Sequence, residues 1–228
     1  MARTRPTVAV TYNKEVGGVS VLSIKRAMKS LQTNVVDADY RTIVPATKGL
    51  EQIFTDTNKF AAVWREAVGK ASALLKDVDC LMLSGNGAMI DPRLYGQPYD
   101  SAEKTDLARS LSELALIHVA INRGMPLMGI CGGHQIINVY FGGIIKDLQF
   151  DELLQQNMHE HEFVNVEPDS DLAKMMCYKT PTEIKEKFFG AHNQVIDLLG
   201  GVNLVNRNKD FLRPLAFSDA LRKKLNQS

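Results

Sequence analysis

Cys131 is the residue whose type and setting first suggest chemistry. Cysteine acts as a nucleophile only as thiolate, and a free thiol titrates near pH ~8.5. An apolar run over residues 126–130 leads into Cys131. Gly132 and Gly133 follow it, then a helical pattern that stops at Gly142 and Gly143. Strand, sharp turn and helix is the arrangement that holds a nucleophile at the carboxyl edge of a buried strand. The amino end of the helix favours the thiolate there. Two glycines let a substrate carbonyl approach the backbone, so the N–H groups of Gly132 and Gly133 could serve an oxyanion hole, worth roughly 10²–10³ in rate per donor. A lone cysteine is more often a small core residue; the flanking strand, glycines and helix argue for the nucleophile.

A thiol so placed needs a scaffold. Residues 7–12 (TVAVTY) read as a first buried strand, and Gly17 and Gly18 break it from a helix over 21–31. Residues 34–38 read as a second strand, and 40–57 as loop with one short helix. Phe60, Val63, Trp64, Ala67, Ala71, Leu74 and Leu75 recur at helical spacing, which predicts a helix over 58–76. A short apolar strand over 79–83 enters a turn-rich segment. Asp100 with Glu103 makes a capping-box pattern, predicting a helix from there to about Asn122, stopped at Gly124. Alternating strand and helix over 1–141 predicts a parallel sheet with helices on both faces. Ligands bind such sheets beyond the carboxyl ends of the strands. The Gly-rich turns at 84–87 and 131–133 both fall at such ends, hence on one rim. Beyond Leu148 the pattern changes: a polar helix or loop over 150–158, a strand over 161–166, a short helix over 170–176, a mixed segment over 188–199 and a strand over 202–205. No linker or repeat divides the chain, which is read as one domain over 1–228.

Bulk composition excludes several classes. The 228 residues, 45% hydrophobic, supply ample core. With 27 basic and 26 acidic residues the net charge is +1, so nothing points to a nucleic-acid partner. Three separated cysteines form no CxxC pair and suit a reducing, cytoplasmic setting. No apolar run has signal-peptide or membrane-spanning length, so no membrane association is expected.

Three blocks carry a resemblance. GICGGHQIINVYFGG (residues 129–143) is similar to the Gly-x-Cys-x-Gly-x-Gln nucleophile motif of the class I glutamine amidotransferase superfamily, with Gly129, Cys131, Gly133 and Gln135 matching. LMLSGNGAMIDPRLYG (residues 81–96) resembles a segment of the γ-glutamyl hydrolase, or peptidase C26-like, branch. Ser84, Gly85, Gly87, Asp91, Pro92, Leu94, Tyr95 and Gly96 match it. GAHNQVIDLLG (residues 190–200) is a weaker third block. The resemblance implies a flavodoxin-like α/β fold and cleavage of a small γ-glutamyl substrate through a thioester, with no cofactor and no metal. It makes Cys131 the nucleophile. The N–H groups of Gly133 and of the Gly85 turn would hold the oxyanion, with Asn86 and Gly87 in that turn. Gln135 would line the site, and the His192 loop would lie on the substrate side.

The chain departs from that family in two places. Asn86 replaces an expected glycine, in a segment one residue longer than the family pattern. The C-terminal His-Pro-x-Glu motif, which supplies the general base and its orienting carboxylate, is missing; no histidine follows His192. Residues 206–228 read as diverged or truncated. Four readings stay open. The base comes from elsewhere, with His192 the leading candidate ahead of His161 and of His134, which should face away from the thiol. The protein binds its ligand without turnover. The chain is a piece of a longer one. Or a second copy or partner subunit completes the site. His159 and His161 read as a solvated strand edge rather than metal ligands, and Asp91-Pro92 as a structural turn.

Overall fold

A computed structural model of the chain describes residues 5–12, 19–85, 88–99, 104–147, 161–165, 183–189 and 194–198. Asn86, Gly87, Asp100, Glu103, His159 and His192, the expected elements over 150–158, 170–176 and 202–205, and the segment 206–228 lie outside these residues.

The first strand, β1 (Thr7–Tyr12), alternates its buried side chains between two layers. It pairs in parallel with β2 (Asn34–Asp39) on one side and β3 (Cys80–Leu83) on the other, and β3 pairs in parallel with β4 (Leu127–Gly129). The order is β2-β1-β3-β4, the flavodoxin-like order for the first four strands. Val8, Val10 and Met82 meet Val21 and Ile24 of helix α1 (Val19–Ser30) on one face. Ala9, Leu81 and Leu83 face the larger core. Helices α2 (Thr57–Leu74), α3 (Leu107–Asn122) and α4 (Gly132–Tyr140) supply that layer. The chain runs from β1 outward to β2, then back across to β3. The carboxyl ends of β1 and β3 therefore flank a topological switch point, where open α/β sheets place their ligands.

Helix α2 starts where Asp56 accepts from the N–H groups of Asn58 and Lys59, the usual N-cap arrangement. Helix α3 departs from expectation. Its cap is Asp106, not Asp100, and its side chain accepts from the Arg109 N–H at 3.0 Å. The cause is the preceding backbone: Met89 N–H donates to Lys104 O at 2.9 Å and Asp106 N–H donates to Met89 O at 3.2 Å. That extended bridge postpones the helix to Leu107. α3 is buried nearly all round, which marks it as the central helix of its layer.

The structure also has β5 (Ile144–Asp147), β6 (His161–Asn165), β7 (Glu183–Phe189) and β8 (Gln194–Leu198). Lys146–Val195 forms one compact unit and the flanking residues another. Within Lys146–Val195, β6 pairs antiparallel with β7, His161 opposite Phe189. Among the described residues no helix is long and apolar enough to cross a membrane.

Candidate active site

Backbone geometry at Cys131 is unlike that of ordinary residues. Its φ is 54° and its ψ −115°, and only Gln32 shares a positive φ among the described non-glycine residues. Such a conformation costs on the order of 1–3 kcal/mol and persists only where its surroundings impose it. Here they do. Ile130 N–H donates to Leu83 O at 2.9 Å, and the N–H groups of His134 and Gln135 donate back to Cys131 O at 2.9 and 3.1 Å. The turn swings from β4 into α4 and leaves the Cys131 side chain exposed at the carboxyl end of the sheet.

The spacing Gly-x-Cys-x-Gly has a steric reason. A Cβ on Gly129 would lie 2.3 Å from the carbonyl carbon of Gly133, and one on Gly133 would lie 2.2 Å from Leu83 O. Only glycine lets α4 begin against β3 and β4 at this separation. The second Gly-rich turn arrives at the same place. A Cβ on Gly85 would lie 3.2 Å from Cys131 Cβ and 3.7 Å from its Sγ. The two turns thus meet on one rim, as their strand-end positions predict. Ser84 anchors that turn to β1: its N–H donates to Thr11 Oγ1 at 2.8 Å and its hydroxyl to Thr11 O at 2.9 Å.

The donors differ from expectation in one respect. Gly133 N–H already donates to Ile130 O at 3.0 Å, so it stabilises the elbow rather than waiting for an oxyanion. No hydrogen bond among the described residues engages the N–H of Gly132 or of Gly85. Both lie beside the thiol, Gly132 as its chain neighbour and Gly85 against Cys131 across the rim. Gln135 is half-buried in the first turn of α4, and His134 beside it is exposed. Asp91 is fully buried and caps a short helical turn over Pro92–Tyr95. Both its oxygens are taken by Arg93, at 3.0 and 2.7 Å, which makes it a structural acid. An open cleft of about 810 Å³ at the amino end of α3, lined by Arg41, Lys48, Arg93 and Lys104 among others, does not include Cys131. Among the described residues no three acidic, histidine or cysteine side chains cluster to hold a metal.

Beneath the Gly85 turn lies a pair that the sequence reading passed over. Arg109 is 5% exposed and Glu113 1%. Arg109 Nε donates to Glu113 Oε1 at 2.9 Å, and its Nη2 donates to both Ser84 O and Gly85 O at 3.1 Å. Complete burial pushes the Glu113 carboxyl up, opposed by the Arg109 charge and the nearby Thr11 hydroxyl. Glu113 Oε2 has no hydrogen-bond partner of good geometry. The signal for it in the sequence is two opposite charges at i,i+4 in LARSLSELALIHVAIN, whose other residues carry no charge besides His118.

Comparison with known proteins finds relatives in sequence. The Peptidase C26 family model matches residues 16–207. A Rickettsia bellii protein named for ankyrin repeats is 37% identical over 220 residues, which is 94% of this chain and 34% of that protein. A Rickettsia prowazekii protein named as glutamine amidotransferase-like is 34% identical over 142 residues, 54% of this chain and 86% of that one. The chain thus spans about a third of the length of the ankyrin-named relative. A solved glutamine amidotransferase from Thermotoga maritima superposes with a TM-score of 0.48 at 12% identity, over 86% of this chain and 64% of that one.

Proposed function

The chain belongs to the Peptidase C26 family, and from that premise we propose that it cleaves γ-glutamyl amide bonds through a thioester on Cys131. The observation that carries the reading is the exposed thiol on a strained, positive-φ elbow between β4 and α4. The Cys131 thiolate adds to the γ-carbonyl carbon, and the carbonyl electrons move onto oxygen. The N–H groups of Gly132 and Gly85 hold that oxyanion, and Asn86 and Gly87 of the same sequence block are proposed as substrate contacts. Collapse expels the amine, which takes a proton as it leaves. Water then attacks the thioester, releasing the γ-carboxylate and restoring the thiol. His192 is the proposed proton carrier for both steps, by its place in the third motif block. Gln135 lines the acyl side.

The test pairs turnover of glutamine and a γ-glutamyl anilide with alkylation of the exposed Cys131. Turnover should be abolished in Cys131→Ala and fall by about 10²-fold or more in His192→Gln, in line with loss of a general base. No turnover of either compound by a wild type whose Cys131 is still alkylated removes the hydrolase reading.

A second reading has its own observation: no His-Pro-x-Glu follows His192. It makes the domain a γ-glutamyl-binding module, or one completed by another subunit. Protection of Cys131 from alkylation by γ-glutamyl ligands, without turnover, selects it.

A further inference from the structure

A buried Arg–Glu pair is a poor way to stabilise a helix. Each ion loses several kcal/mol of hydration on burial, and apolar replacements are often neutral or stabilising. The Arg109–Glu113 pair therefore calls for a reason other than stability. The reason lies in what the guanidinium touches. Its Nη2 donates to two successive backbone carbonyls, Ser84 O and Gly85 O. These belong to the turn whose glycine abuts Cys131. A peptide unit is planar and trans, so its N–H points opposite to its C=O. Drawing Ser84 O down onto Arg109 turns Gly85 N–H to the other side of that plane. Glu113 fixes the guanidinium from behind through Nε, and the Tyr40 ring lies 5.0 Å from its centre. Nη2 also lies 2.9 Å from the same Glu113 oxygen, so one planar fork spans the carboxylate and both turn carbonyls at once.

We propose that Arg109, held by Glu113, is a positioning residue that sets the Ser84–Gly85 peptide plane and so presents Gly85 N–H to the oxyanion formed at Cys131. This rests on the thioester reading above. Lysine retains the charge but has no planar fork to satisfy Glu113 and both carbonyls together. Glu113→Gln keeps the shape and loosens the clamp.

The experiment compares wild type, Arg109→Lys and Glu113→Gln in three measurements. They are kcat and KM on a γ-glutamyl anilide, the rate of Cys131 alkylation by iodoacetamide, and the amide shift and hydrogen exchange of ¹⁵N-labelled Gly85. Alkylation at a saturated carbon builds no oxyanion, so it reports the thiol and the fold but not the donor. Arg109→Lys should lower kcat by roughly 10²-fold, the scale of one lost oxyanion donor, with KM and alkylation nearly unchanged. Glu113→Gln should do the same to a smaller degree. In both variants the Gly85 amide should shift and exchange faster. A kcat close to wild type, or a parallel fall of kcat and alkylation, overturns the proposal. If the wild type turns over no γ-glutamyl compound, the thioester reading fails on its own; the Gly85 amide then decides, and an unaltered shift and exchange rate overturns the positioning role.

Discussion

Cys131 and its two flanking glycines could be read in the sequence because their roles are local. A nucleophile on a strand-to-helix turn needs small residues at fixed offsets, and offsets are what a sequence displays. The structure adds why the offsets are two on either side. Gly129 meets the carbonyl of Gly133, and Gly133 meets the carbonyl of Leu83. Both obstacles are backbone, so neither can swing aside as a side chain could. Gly133→Ala should therefore cost about 3 kcal/mol, the upper range for overpacking, and show as a lower Tm. Gly69 in α2 is the control, since a Cβ there meets nothing within 4 Å. Gly69→Ala should stabilise by roughly 0.5–1 kcal/mol through helix propensity. Equal effects at the two positions would remove the steric account of the motif. The donor assignment was less legible. Whether Gly132 or Gly133 keeps its N–H depends on where Ile130 O points, and no residue type encodes that.

Among the elements, α3 shows where local patterns mislead. Asp100 and Glu103 form a capping-box pattern, yet the helix waits for Asp106 because Lys104, Thr105 and Asp106 bridge to Met89. Contacts between residues 15 to 17 apart outranked a local signal worth about 1 kcal/mol. Asp106 does two jobs: it caps α3, and both its oxygens accept from Arg41 at 3.0 and 2.7 Å. Substitution can separate them. Asparagine caps as well as aspartate but loses the charged fork. Asp106→Asn should cost about 1 kcal/mol, a value suited to a partly exposed ion pair. Asp106→Ala should cost roughly 1 kcal/mol more for the lost cap. Urea denaturation decides: the same cost for both variants would mean the cap contributes nothing. The Arg109–Glu113 pair was invisible for a related reason. At i,i+4 it looks like a solvated helix pair, and only the layer packed around α3 turns it inward.

At the scale of the folded layer, α2, α3 and α4 meet around His118. Its ring lies edge-on to Trp64 at 5.6 Å, its Nδ1 is 3.2 Å from the Tyr140 hydroxyl, and Asn122 Nδ2 lies 3.0 Å from its Nε2. The two-faced core follows from apolar periodicity, whereas the strand order comes from the pairing of distant segments; this polar knot is not legible either, since its members come from three helices far apart in sequence. Burial pushes the His118 pKa down from its usual value, and burial pushes the Tyr140 phenol up to about 12. The two shifts act at opposite ends of the pH scale. Below about pH 6.5 an unfolded histidine takes a proton that the folded one resists, so the unfolded state binds more protons and stability falls as pH falls. Above about pH 10 an unfolded tyrosine ionises while Tyr140 stays neutral, so stability falls again as pH rises towards about 12. The chain has a single tryptophan, and it packs on this histidine, so Trp64 emission reports the unfolding of this layer. Urea midpoints read by that emission should drop between about pH 7.5 and pH 5 in wild type, as the linkage requires. His118→Gln should be less stable at neutral pH but lose much of that acid slope. A variant that keeps the full drop would assign acid sensitivity to other groups and leave His118 a packing residue only.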